Sequence, residues 1–153
     1  MKNISRIIKN ARLKNVIKSF IPFQVFYLSC TFITRPRSKY LLLICDNPLL
    51  FFFINSKVNI NFERNPDMFH SQIPIYPEEA PFLSKLSYIN CKQEISNFTL
   101  DNVVEQIMRN ESIVKGTIDT SVQKKVIEAV NDTKATRLIA PRFRKKILKF
   151  IRK

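Results

Sequence analysis

Tyr40-Leu41-Leu42-Leu43-Ile44-Cys45, then Asp46-Asn47-Pro48, then Leu49-Leu50-Phe51-Phe52-Phe53-Ile54-Asn55: two apolar runs with a turn between them decide the fold. The first run carries no polar alternation and reads as a strand buried on both faces. Asp-Asn-Pro is turn chemistry. So short a connection joins antiparallel strands into a hairpin. Asp46-Asn47-Pro48 also divides the apolar stretch Tyr40–Ile54, and Ile21–Thr34 is the other long one. Neither reaches the roughly 20 uninterrupted apolar residues of a spanning helix.

Outward from this hairpin the strands stay short. Phe23–Ile33 is rich in aromatic and β-branched residues, and Thr34–Ser38 is a loop. Val58–Phe62 alternates around Asn59 and Asn61, and 63–70 is polar. Gln72–Ile75 and Leu86–Cys91 are further strands, separated by Pro77-Glu78-Glu79-Ala80-Pro81. So many short strands in about seventy residues predict a small antiparallel β-barrel. At both ends the period becomes helical. Asn3–Phe20 carries Ile4, Ile7, Ile8 and Ala11 on one stripe and stops at Pro22. Thr99 can cap a helix with Leu100, Val103, Val104 and Ile107 inward; Asp119 or Thr120 can cap the next, with Val122, Val126, Ala129 and Val130 inward. A last helix begins near Pro141. The fold class is therefore α+β. A basic amphipathic helix spans 1–20, a strongly bent barrel with a helical C-terminal part spans 21–133, and a basic C-terminal helix spans 134–153.

Composition narrows the chemistry. A chain of 153 residues with 45% apolar and 25% charged residues suits one soluble domain. Gly116 is its one glycine, which excludes the Gly-rich phosphate loops of Walker, Rossmann and kinase sites. Cys30, Cys45 and Cys91 are irregularly spaced and His70 is the single histidine. A structural zinc wants four such ligands, so neither a metal nor another cofactor is expected. The cysteines read as small buried hydrophobes of a reducing cytoplasm. The basic start resembles a secretion signal or a mitochondrial presequence in charge, but its basic region is too long for a signal and Gln24 interrupts the apolar segment.

The net charge of +14 is unevenly placed. Residues 1–45 hold nine Lys or Arg and no acid, and residues 134–153 hold another nine with no acid. The middle, 46–133, holds eight basic and twelve acidic residues. Two cationic ends around a mildly acidic middle suit a polyanion, if they share one face. Nucleic acid comes first and an anionic membrane surface second.

Residues 39–130 resemble the PemK-like branch of the MazF/PemK toxin superfamily. The resemblance is carried by Lys39-Tyr40-Leu41-Leu42-Leu43-Ile44, Phe53-Ile54-Asn55-Ser56, Pro81-Phe82-Leu83-Ser84-Lys85 and Ser87-Tyr88-Ile89-Asn90-Cys91. The step Lys115-Gly116-Thr117-Ile118, in a trailing helical region, adds to it. The resemblance implies an SH3-like barrel, an mRNA-cleaving activity, an antitoxin protein as partner and a homodimer among its assemblies. It also implies an Arg that acts on the scissile phosphate, matched by Arg35 or Arg37, and a hydroxyl matched by Ser56. Such cleavage uses the neighbouring RNA 2′-OH as nucleophile. A guanidinium holds the phosphate and stabilises developing charge.

The residues support these roles independently. Arg35 and Arg37 flank Pro36 in an interstrand loop, and Asn55-Ser56-Lys57 closes a strand. His70, in the loop after Asp67, carries the chain's one imidazole, a side chain suited to acid–base work. Lys39 and Lys57 add cations near that loop. In the terminal run, Arg142, Arg144, Lys145, Lys146 and Lys149 are interleaved with Phe143 and Phe150, so that aromatic faces can stack on bases while cations take phosphates. The same run also reads as an amphipathic helix packed on the barrel or lying on a membrane. Two functions stay open: an RNA-directed toxin-like domain, enzymatic or not, and a non-enzymatic module binding nucleic acid or a protein through its basic ends.

Overall fold

The hairpin forms as read. In the computed structural model, which describes residue 15, residues 20–58 and residues 69–153, β2 (Arg37–Asp46) pairs antiparallel with β3 (Leu49–Asn55). Leu41–Cys45 and Leu49–Phe52 are all buried, as strands covered on both faces require. β1 (Gln24–Cys30) pairs with the outer edge of β2. Its alternation buries Phe26, Leu28 and Cys30 and leaves Tyr27 and Ser29 outward. β4 (Gln72–Ile75) and β5 (Ser87–Ile95) follow, with β5 pairing to both β3 and β4.

A sixth strand, β6 (Val114–Thr117), pairs with β1. It corrects the expectation of helical structure around Lys115-Gly116-Thr117. Gly116 sits at φ +113°, where any other residue is strained although no neighbour crowds its Cβ position. The sheet runs β4-β5-β3-β2-β1-β6, all antiparallel. The expected barrel is thus a curled half-barrel whose edges, among the described residues, are β4 and β6. Register shifts in β1–β6, β2–β3 and β3–β5 accompany the curl.

Three helices described along their whole length complete the α+β fold. α1 (Leu100–Arg109) starts at Thr99, whose hydroxyl accepts from the Asn102 amide at 3.1 Å. α2 (Thr120–Asn131) starts after Asp119, and α3 (Pro141–Ile151) has Pro141 in its first turn. Val103, Val104 and Ile107, then Val122 and Val126, then Ile147, Phe150 and Ile151 are buried. α3 packs across β2 and against α2, so the basic C-terminal helix shares the sheet's core. Edge-to-face contacts link Phe20, Phe26, Phe51 and Phe98 through that core, with centroids 5.5–5.9 Å apart. Most of the N-terminal helix expected over 1–20 and most of the strand expected over 58–62 lie outside the described residues.

Candidate functional site

At the Arg37 end of β2 the sheet stops before its charges do. Arg37 and Lys39 near the start of β2 meet Asn55, Ser56 and Lys57 at the end of β3. The segment Leu83–Lys85 closes the third side of a cleft of about 400 Å³. Hydrogen bonds hold the segment and the residue before it: the Tyr40 hydroxyl donates to the Phe82 carbonyl at 3.3 Å, the Leu83 amide to the Ala80 carbonyl at 2.9 Å, and Ser87 Oγ to the Lys85 carbonyl at 3.1 Å. Tyr27 and Tyr40, with centroids 4.7 Å apart, form an aromatic wall. Among the described residues four cations (Arg37, Lys39, Lys57 and Lys85) and no carboxylate line the cleft.

Lys39 is the most constrained of the four. Its ammonium donates to Asn55 Oδ1 at 2.5 Å and sits 4.5 Å above the Phe53 ring. Burial holds its pKa below the ordinary lysine range, and the positive charge of Arg37 adds to that; Cys30 opposes it. The uncompensated charge makes the cleft attractive to an anion. Cys30, Cys45 and Cys91 are buried and unpaired, and burial raises all three thiols above their ordinary range. They face reactivity as thiols rather than thiolates.

The cleft brings together Arg37, Ser56, Lys39 and Lys57 of the residues singled out by sequence. Arg35 is not among its lining residues; it lies exposed in the loop 31–36. His70 is exposed just before β4 and lines a different hollow, with Lys125, Glu128 and Asp132 of the α2 region. Gln72 pairs with Asn90, three residues past Ser87, so His70 sits at least about 10 Å along the sheet from the cleft.

The α3 cations divide. Arg144 is not open to a phosphate: its guanidinium donates to the Val130 carbonyl, to Thr136 Oγ1 and, at 2.7 Å, to the Thr136 carbonyl. It satisfies carbonyls beside the end of α2. Phe150 is 4% exposed and belongs to the core, because helical spacing puts it on one stripe with Ile147 and Ile151. It cannot stack on a base. Phe143 is half-buried, with the Arg142 guanidinium 4.7 Å from its ring. Lys146 and Lys149 stay exposed, near the Asp46 end of β2 together with Lys153. Lys145 is exposed too. β2 is ten residues long, so these cations lie roughly 30 Å along the strand from the Arg37 cleft. Among the described residues these cations and those of the Arg37 cleft form two separate patches; the six cations between Lys2 and Lys18, which complete the basic N-terminal end, lie outside the described residues.

Tyr27, Tyr40 and Lys85 were missed as site residues. Lys85 stands within the Pro81–Lys85 motif, but nothing in its spacing ties it to Arg37; only the Tyr40–Phe82 contact does. Among the described residues no group of three or more His, Cys, Asp or Glu could hold a metal ion, and no helix is long and apolar enough to cross a membrane. In comparisons with known proteins, no family model and no curated protein matches this chain.

Proposed function

We propose that the protein binds RNA in the Arg37–Lys57 cleft and cleaves it there, as a toxin-like endoribonuclease of the PemK-like kind. One observation carries the reading: among the described residues four cations and no carboxylate line a cleft beside the hydroxyl of Ser56 at a strand end. Such a cleft suits a phosphodiester. Arg37 takes two phosphate oxygens, and Ser56 donates a further hydrogen bond to the same group. The 2′-OH next to that phosphate attacks phosphorus as the bond to the 5′-oxygen breaks, leaving a cyclic phosphate and a free 5′-hydroxyl, so the protein's task is to hold the phosphate and to move one proton from the attacking oxygen to the leaving one. Lys39, inclined by burial to release its proton, is the carrier within reach of the cleft. On this reading the partners are RNA and an antitoxin protein that covers the cleft.

Incubation with total RNA at two salt concentrations, resolved on a gel, tests it. Cleavage by the wild type and its loss in Arg37→Ala at unchanged melting temperature is the expected result. Intact RNA with the wild type overturns the enzymatic reading, and absence of salt-dependent RNA binding overturns the reading as a whole.

The exposed Lys146, Lys149 and Lys153 favour a second reading, a non-enzymatic module that engages a polyanion through α3. Deleting 134–153 cannot test it, because Ile147, Phe150 and Ile151 would leave the core. Replacing the three lysines by alanine can. RNA binding that vanishes in this variant and survives in Arg37→Ala supports the module.

A further inference from the structure

The cleft does not end at Tyr27 and Ser38. Both residues also line a second groove of about 680 Å³, so the two hollows form one trough around the loop end of the β1–β2 hairpin. The walls change character across that boundary. The first compartment is cationic. The second is lined by side-chain amides, Asn97, Asn102, Gln106 and Asn110, together with Phe32 and Phe98. Among the described residues its one charged residue, Arg109, is tied to Glu105 at 2.6 Å. Near-neutral amides beside aromatic rings suit planar, polar, uncharged groups better than phosphates.

The groove is built rather than incidental. β6 pairs with β1 up to Phe26, leaving the Ser29 backbone on an open edge. Gln106 of α1 fills that edge: its Oε1 accepts from the Ser29 amide at 2.8 Å. Its Nε2 donates to Asn102 Oδ1 at 2.9 Å, which fixes the Asn102 amide. The Asn97 side chain makes no hydrogen bond among the described residues. Phe32 is 38% exposed. Its ring is held at 5.2 Å by Phe98, edge-on, and at 6.3 Å by Phe53. A large aromatic ring fixed on its inner side and open on the other is a stacking platform. Amides match the Watson–Crick and Hoogsteen edges of bases.

We infer that this amide-lined groove is the base-reading half of the RNA site: unpaired bases flanking the phosphate at Arg37 stack on Phe32 and are read by Asn97 and Asn102. The inference rests on the RNA reading above and adds sequence selectivity to it.

The test is equilibrium binding of fluorescein-labelled ten-nucleotide oligoadenylate, oligouridylate and oligocytidylate at two salt concentrations. Wild type, Phe32→Ala, Phe32→Leu, Asn97→Ala and Arg37→Ala are compared, with melting temperatures measured alongside. Phe32→Ala is expected to lose about tenfold in affinity for every oligomer, the scale of one lost stack, with the salt dependence unchanged. Asn97→Ala, at an exposed position, is expected to narrow the spread between oligomers, again at unchanged salt dependence. Arg37→Ala is expected to weaken all oligomers and flatten the salt dependence. Folded Phe32 and Asn97 variants that bind all three oligomers as the wild type does overturn the inference and leave the RNA reading standing. A wild type that binds none of them overturns both. Should Phe32→Ala fail to fold, Phe32→Leu and Asn97→Ala decide alone.

Discussion

β2 has a cationic cluster at each end, and the two clusters are built differently. At the Arg37 end, cations from three separate segments converge on a concave space that no described carboxylate lines. At the Asp46 end, Lys146, Lys149 and Lys153 stand along the outer flank of α3, with Asp46 beside them. Convergence fixes a phosphate from several directions; a helix flank supplies a diffuse field that salt screens. Charge counts alone do not distinguish them. What separates them is whether the backbone brings the cations to a common point.

Arg144 gives the largest expected effect and tests whether the α3 end is structural. Its guanidinium holds two carbonyls and a hydroxyl. Arg144→Ala removes three charge-assisted bonds, while the Thr136 carbonyl keeps the Ile139 amide and the Val130 carbonyl keeps Thr136 Oγ1; the loss is about 2–3 kcal/mol. Thermal denaturation should fall by roughly 5–10 °C. Arg144→Lys should not rescue it, because an ammonium lacks the planar fork. RNA affinity of the folded variant should match the wild type; a loss there would make Arg144 a phosphate ligand after all.

The second effect belongs to the cleft. Arg37→Ala combined with Lys57→Ala should weaken RNA binding about thirtyfold, or about 2 kcal/mol. The slope of log affinity against log salt should drop by about 1.4 for two lost phosphate contacts on a single strand. Both positions are exposed, so melting should shift by less than about 0.5 kcal/mol. Replacing Lys146, Lys149 and Lys153 by alanine should cost only about threefold at low salt, and nothing at about 1 M salt, where the Debye length is roughly 3 Å. A reversed ranking would move the binding site to α3.

The elements that could be read in the sequence are those whose signal is local. Leu41–Cys45 declares double-sided burial in five consecutive residues, Gln72–Ile75 is found with its boundaries, and Thr99 caps the helix it was expected to cap. β6 was not readable. Its four residues include Lys115, Gly116 and Thr117, and they become a strand only because β1 offers an edge ninety residues earlier. The end of β5 was cut short for a similar reason: Lys92-Gln93-Glu94 is polar, yet β3 pairing carries the strand to Ile95. For the cleft, Arg37 and Ser56 were visible as motif positions, whereas Lys85 and Tyr27 are brought in by tertiary packing. The fate of Arg144 was equally hidden, since an amphipathic run does not say which cation folds back onto a neighbouring helix.

The smallest expected effect separates binding from folding at Lys39 by sign. Its pKa is depressed chiefly by burial, with Arg37 reinforcing the shift. As pH rises toward the ordinary lysine value of about 10.4, Lys39 therefore loses its proton before an exposed lysine does. RNA affinity should weaken over that window by a few-fold, because one cation of the cleft is discharged. Stability should move the other way. The unfolded chain still holds the proton that the folded chain has released, so stability attributable to Lys39 rises with pH across the same window. Lys39→Met should remove both trends, and Lys39→Arg should remove the pH dependence of binding while keeping a cation in the cleft. Binding and melting curves that fall together with pH would place the titrating group elsewhere.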